Sequence, residues 1–217
     1  ACRSLPHQCT HVPLGRTCPA SNTDNCCMMI QPVLVCQGFQ RAFIEPGSPL
    51  YSASAALRRT SCEQLLRLAR TSGWTVIHTF LETDAVRAAG EASIDGFNPK
   101  PTEAYFQQTG LSAFATPDFD RLLFPLDLSP IFLMGFAGIG AVSATLLDGL
   151  ERRLNISVVI DAVADAGAHG VGENDRLAAI EVLARSCDSA VTSLEIATLS
   201  PAPPPVAAGR YISQPRY

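Results

Sequence analysis

The stretch IFLMGFAGIGAVSATLLDGL, residues 131–150, carries the strongest fold signal in the chain. Together with the proline before it, its apolar first part predicts a buried strand over Pro130–Phe136, and the residues after it predict a helix over Gly138–Leu154. Small residues join the two in a tight turn. A strand-to-helix corner of this kind often presents a catalytic side chain. Here Ala141 stands at the tip, so the corner has the shape of a reactive site without a reactive group.

Strands and helices alternate on both sides of this corner. Further strands are predicted at Pro32–Phe39, Trp74–Phe80, Ile156–Asp165 and Ser189–Ile196, and further helices at Ser52–Ser72 and Asn174–Ser186. In the first helix we expect Leu57, Ser61, Leu65 and Leu68 to line one face. The repeated order of strand and helix predicts an α/β fold, a three-layer sandwich around a mostly parallel sheet of about six strands.

The two ends of the chain differ from this body. Residues 1–30 hold five of the eight cysteines and predict an irregular arm, residues 31–199 one domain, and residues 200–217 a Pro-rich tail. In the arm, disulfides or a zinc site at His7, Cys9 and His11 are alternatives to free thiols, but the spacing does not match paired zinc knuckles. We therefore expect no metal and no cofactor.

The long stretch Leu81–Thr109 is interpreted as a lid, a partner contact or an insertion.

Composition excludes several classes of partner. The formal net charge is -4 and no basic stripe is visible, so nucleic acid is not expected as a partner. No apolar run reaches the length of about 18 residues that a membrane-spanning helix needs. The first residues also lack the apolar core of a signal peptide, which indicates the cytoplasm.

Parallel sheets bind ligands at the carboxyl ends of their strands. The candidate segments are therefore Gly38–Arg41, Thr79–Thr83, Gly135–Ala141 and Asp161–Asp165. His78 and Glu82, at the expected end of the second strand, are candidate ligand contacts. Cys36 is interpreted as a buried core thiol with no base nearby, and Asp161 and Asp165 are expected to bind backbone amides.

The order of motifs resembles the isochorismatase-like cysteine hydrolases, which include nicotinamidases, N-carbamoylsarcosine amidases and isochorismatases. The similar segments, in chain order, are GFQRAF (38–43), ARTSGWTVIHT (69–79), LSAFATPDFDRLL (111–123), MGFAGIGAVSATLLDGL (134–150) and VVIDAVAD (158–165). His169 matches a histidine that often precedes the last helix. The resemblance covers roughly Pro32 to Ala197 and implies the three-layer fold of that family.

The resemblance also implies a mechanism in which a Cys thiolate attacks the substrate, an Asp takes its proton and a Lys stabilises the charged forms. In this sequence the Asp position falls on Gly38, the Lys position on Gln108 and the Cys position on Ala141. A shift by one residue offers no substitute, since Gln37 and Val142, for example, cannot replace the lost groups. The turn that would supply oxyanion-binding N–H groups comprises Ala137, Gly138 and Gly140.

These substitutions predict a catalytically degenerate family member. It would keep a pocket for a small-molecule ligand, or act as a structural or regulatory partner in an oligomer. Because relatives assemble, the resemblance implies a homo-oligomer or a partner paralogue. One alternative is an active hydrolase of small amides or esters, in which His78, Glu82 or Asp84 activates water. A weaker alternative is nucleotide binding at the Gly138 turn, which approximates a dinucleotide fingerprint with Asp161 downstream.

Overall fold

The computed structural model describes residues 31–126, 129–165 and 172–199, so the predicted arm and tail lie outside the described residues. Six strands form one sheet: β1 Val33–Gln37, β2 Thr75–Leu81, β3 Ala104–Gln108, β4 Ile131–Gly135, β5 Ile156–Val163 and β6 Ala190–Val191. All pairings are parallel, in the order β3-β2-β1-β4-β5-β6. The strand order reverses between β1 and β4, where open α/β sheets commonly have their ligand crevice.

Helices cover both faces of the sheet. They are α1 Ala53–Thr71, α2 Asp84–Ala89, α3 Pro117–Leu123, α4 Ser143–Glu151, α5 Glu173–Ser186 and α6 Ser193–Leu199. Short 3-10 turns occupy Arg41–Phe43, Ala113–Ala115 and Phe124–Leu126, and a π-helical turn, Gly138–Val142, precedes α4. None of the helices in the described ranges is both long and apolar enough to cross a membrane.

Strand β1 shows how the sheet divides the core. All five of its residues are buried, and successive side chains point to opposite faces. Leu34 and Cys36 belong to a core with α1 and α6, whereas Val33 and Val35 belong to a core with α3, α4 and α5. A strand buried on both faces reads as a continuous apolar run, which is why the sequence revealed it. The three-layer α/β architecture is confirmed.

Helix α1 buries a different stripe from the predicted one. Its buried positions include Ala55, Cys62, Leu65 and Ala69, whereas Leu57 is 82% exposed. Two residues correspond to about 200° around a helix, so Leu57 lies nearly opposite Ala55. The prediction for Leu57 is therefore wrong, and that for Leu65 is confirmed.

The stretch Leu81–Thr109 completes the sheet and is not a structureless insertion. It contains α2 and the edge strand β3, which pairs with β2. Strand β3 was missed because its burial alternates, with Tyr105 and Gln107 exposed, and because it contains two glutamines. An edge strand of this kind produces no continuous apolar run.

The last predicted strand, Ser189–Ile196, is also corrected. Only Ala190–Val191 is a strand, and α6 begins at Ser193. Thr192 and Glu195 form a reciprocal cap: the Thr192 amide donates to Glu195 Oε2 at 2.7 Å, and the Glu195 amide donates to Thr192 Oγ1 at 3.2 Å. Asp161 accepts from the Ser193 amide at 2.8 Å, which confirms its expected role. The cap signal Thr-x-x-Glu at residues 192–195 is present in the sequence and favours a helix start there over a continued strand.

Candidate functional site

The three positions that the resemblance identifies as catalytic lie at the carboxyl edge of the sheet. Gly38 follows β1, Gln108 is the last residue of β3, and Ala141 lies in the π-helical turn after β4. All three are buried. A hydrogen, an amide and a methyl group therefore occupy the positions where the resemblance calls for an acid, a cation and a thiol.

Gly38 is held where a larger residue would be crowded. Its φ is +70°, and a Cβ built on it would lie 2.9 Å from Leu81 Cδ1 and 3.2 Å from the Ala137 Cβ. Both the left-handed backbone and the close packing favour glycine. The side chain of Ala137, after β4, thus packs directly against the end of β1.

Gln37, and not Gly38, directs a polar side chain into this region. Its Nε2 donates to Gln108 Oε1 at 2.9 Å and to Thr145 Oγ1 at 3.0 Å. Gln37 is fully buried, and its Oε1 has no hydrogen-bond partner among the described residues. Gln37 shares a strand face with Val33 and Val35, so the two-residue period of β1 was the signal that could have identified it.

Gln108 is fixed on several sides. Its Nε2 donates to the carbonyl groups of Gly110 and Leu111, while its Oε1 accepts from Gln37. Thr145 also accepts from the Ala113 amide at 2.9 Å. The network of Gln37, Gln108 and Thr145 therefore joins β1, β3, α4 and the 3-10 turn at residue 113. Amides and a hydroxyl in this arrangement provide neither a charged nucleophile nor a base.

In the turn expected to bind an oxyanion, the amides of Gly138 and Ala141 already donate hydrogen bonds to backbone carbonyl groups of the protein. The Gly138 amide donates to the Ala164 carbonyl at 3.0 Å, and the Ala141 amide donates to the Ala137 carbonyl at 2.9 Å. A Cβ at Gly138 would lie 2.7 Å from Ile180 Cδ1 on α5. Close packing between the turn and α5 gives a structural reason for this glycine. Nucleotide binding at the turn stays a prediction.

His78 does not end its strand, because β2 continues to Leu81. Its side chain is 1% exposed and its Nε2 lies 2.9 Å from Glu103 Oε2. Arg70 also binds Glu103, with Nε 2.7 Å from Oε1. Burial lowers the pKa of His78, although the hydrogen bond to Glu103 opposes this effect. Burial alone would raise the pKa of Glu103, but hydrogen bonds from Arg70, the Lys100 amide and His78 lower it to about 2.

Cys36 lies beside this cluster. It is the register partner of His78, so the expectation that no base is nearby is wrong. Cys36 is 1% exposed, as expected for a core thiol, and burial raises its pKa well above the usual value. The neutral thiol is a poor nucleophile. Cys36 also faces α1, on the opposite side of the sheet from the side chain of Gln37.

Glu82 is separated from His78. It follows the end of β2, where its side chain pairs with Arg87 at 3.3 Å, and Arg87 also binds Asp84. Four strand residues span about 13 Å, so His78 and Glu82 do not act on one water molecule as an acid–base pair.

Asp165 pairs with Arg176, and both side chains are buried. Within the described ranges, no three His, Cys, Asp or Glu side chains form a group that could hold a metal ion. His7, Cys9, His11 and His169 lie outside those ranges.

A family model for the isochorismatase domain matches residues 32–195. The chain belongs to the isochorismatase family. Among curated proteins, maleamate amidohydrolase from Pseudomonas putida is 24% identical over 155 residues, which cover 62% of this chain and 73% of that protein. A cysteine hydrolase from Pseudomonas syringae pv. phaseolicola superposes with a TM-score of 0.70 at 20% identity, covering 78% of this chain and 92% of that one. N-carbamoylsarcosine amidase from Thermoplasma acidophilum superposes with a TM-score of 0.60 at 21% identity, covering 75% and 96%.

In this isochorismatase-family hydrolase homologue, two separate groups of buried polar side chains lie on opposite faces of the sheet. The carboxyl edge holds the neutral network of Gln37, Gln108 and Thr145. The ionisable cluster of Arg70, His78 and Glu103 lies at α1, on the other face of the sheet. The residues that could move a proton are thus separated from the corner that the resemblance identifies as catalytic.

Proposed function

We propose that this protein is a catalytically degenerate isochorismatase-family member that serves as a structural partner within an oligomer. The observation that carries the proposal is that Gly38, Gln108 and Ala141 stand where the resemblance calls for Asp, Lys and Cys. The Gln108 amide is held in a neutral network with Gln37 and Thr145. Neither an amide nor a methyl group attacks a carbonyl carbon. Loss of a single member of such a triad already removes orders of magnitude of rate.

The packing around Gly38 supports a structural role rather than a retained substrate pocket. The space where an Asp side chain would begin lies against Leu81, Ala137 and Phe43. Gln108 is likewise bound by two backbone carbonyls. Side chains held in this way stabilise the sheet edge, and a small-molecule ligand at this corner is the less favoured form of the proposal.

Assembly is supported by the edge strand β3. Tyr105 is 63% exposed on this strand and Leu111, just after it, is 65% exposed. Edge strands with exposed apolar side chains are common sites of protein association. We therefore expect a homo-oligomer, with a paralogue as the alternative partner. The cytoplasmic location stays a prediction.

The test is an assay of the purified full chain with maleamate, N-carbamoylsarcosine, nicotinamide and simple esters, beside the Pseudomonas putida maleamate amidohydrolase as a positive control. We expect no turnover above the uncatalysed rate, together with an oligomer in light scattering. Any enzymatic turnover would overthrow the catalytic part of the proposal. Loss of that turnover in His78→Gln or Cys36→Ala would then assign the chemistry to Cys36 on β1 and His78 on β2. A monomer at micromolar concentration would contradict the assembly part.

A further inference from the structure

A cavity of about 410 Å³ lies at the amino ends of β2 and β3, the opposite edge of the sheet from Gly38 and Gln108. Its wall includes residues from four parts of the chain: the end of α1, the start of β2, the segment before β3, and α3. The lining residues used below are Arg70, Trp74, Lys100, Thr102, Glu103 and Leu122. Its volume falls within the range of small-molecule sites.

The cavity combines an apolar wall with one uncompensated positive charge. Trp74 and Leu122 provide apolar surface, and Thr102 contributes a hydroxyl group. The Glu103 carboxylate is already paired with Arg70 at 2.7 Å. Lys100 forms no ion pair with any residue that the structure describes, so its ammonium group can meet an external anion.

A neighbouring cavity of about 330 Å³ shares Arg70 and Lys100 but has a different character. Arg67 and Glu63 line it, and no aromatic residue does. The Glu63 carboxylate is paired with Arg59 at 2.7 Å, so charge alone does not distinguish the two cavities. The aromatic surface of Trp74 does distinguish them. The cavity beside Trp74 is therefore the better site for a molecule that has both a charge and an apolar body.

We propose that the cavity beside Trp74 binds a small organic carboxylate, with its anionic group at Lys100 and its aromatic or apolar body against Trp74 and Leu122. The proposal goes beyond the proposed function, because this site uses none of the positions matched to the family's catalytic residues. It holds whether or not the carboxyl edge retains catalysis.

The chain contains a direct probe of this site. Trp74 is the single tryptophan of the protein, and Lys100 is its single lysine. We would titrate the full chain with 4-iodobenzoate, whose iodine quenches indole fluorescence on contact, and with the neutral isostere 4-iodobenzamide. The expected result is saturable quenching of Trp74 by the benzoate at lower concentration than by the benzamide.

Matched variants identify the charge responsible. Lys100 is exposed, so Lys100→Gln should fold normally and weaken benzoate binding about two- to fivefold, the upper part of the range for one solvent-exposed ion pair. Binding of the benzamide should not change. Arg67→Gln removes the same charge from the neighbouring cavity and should change benzoate binding by less than about twofold. The proposal is overturned by quenching that does not saturate, by equal affinity for the two probes, or by an effect of Arg67→Gln that exceeds that of Lys100→Gln.

Discussion

Nε2 of Gln37 lies 2.9 Å from Oε1 of Gln108, although 71 residues separate the two in the chain. The bond joins the end of β1 to the end of β3 across the intervening strand β2. Both side chains are fully buried, so the contact is shielded from water and strengthened accordingly. The resemblance calls for charged groups at this corner of the sheet, and here a neutral hydrogen bond joins the two strand ends.

Gln108→Leu should destabilise the fold through this network. The substitution leaves the Gly110 and Leu111 carbonyls without their donor and Gln37 Nε2 without its acceptor in Gln108. We expect the free energy of unfolding to fall by about 2–4 kcal/mol, measured by urea denaturation. Gln107→Leu is the matched control, since that side chain is exposed, and should stay within about 0.5 kcal/mol. An equal decrease in the free energy of unfolding in the two variants would show that the network of Gln37, Gln108 and Thr145 does not stabilise the fold.

Gly38→Ala should cost more than Gly73→Ala. The two glycines have nearly the same φ, +70° and +71°, so both variants carry the same backbone strain of about 1 kcal/mol. Only Gly38 is crowded: its added Cβ would lie 2.9 Å from Leu81 Cδ1, whereas nothing lies within 4 Å at Gly73. Thermal unfolding should therefore give a further loss of about 1–3 kcal/mol for Gly38→Ala. A Tm for Gly38→Ala equal to or above that of Gly73→Ala would refute the packing argument.

Stability should fall in two steps as the pH is lowered. Burial lowers the pKa of His78 below 6.5 in the folded state. As the pH falls below 6.5, the unfolded chain therefore binds a proton before the folded chain does, and the free energy of unfolding decreases. The pKa of Glu103 is lowered from 4.5 to about 2, so its contribution is complete above 4.5 and is lost between those values.

His78→Gln separates the two steps. The glutamine can still donate a hydrogen bond to Glu103 but does not titrate. Urea denaturation between about pH 7 and about pH 5 should show a weaker pH dependence in His78→Gln than in the unmodified protein, while the acidic step of Glu103 remains. An unchanged slope in the upper range would mean that His78 titrates alike in the folded and unfolded states.

The buried thiols should resist alkylation. Burial raises the pKa values of Cys36 and Cys62, so the reactive thiolate is scarce in the folded protein. Cys187 is partly accessible. Treatment with iodoacetamide followed by peptide mass mapping should find Cys187 modified and Cys36 and Cys62 protected until urea is added. Rapid modification of Cys36 in the folded protein would instead indicate that this thiol is a reactive nucleophile beside His78.

Several parts of the fold could be predicted from local patterns. The continuous apolar runs of β1 and β4 identified buried strands, because parallel strands covered on both faces need apolar residues at every position. The glycine-rich corner after Met134 marked the turn into α4. Strand β3 escaped detection because an edge strand buries only alternate side chains.

What the sequence alone determined about this protein is its layered α/β class and its family resemblance, which predicts Gly38, Gln108 and Ala141 at the matched positions. These follow from periodicity and motif order, which are local properties of the chain. Only the tertiary structure decided that Gln37 binds Gln108, that His78 pairs with Glu103, and that Lys100 and Trp74 share a cavity. Such contacts depend on strand order and register, which bring residues far apart in the chain onto one face of the sheet.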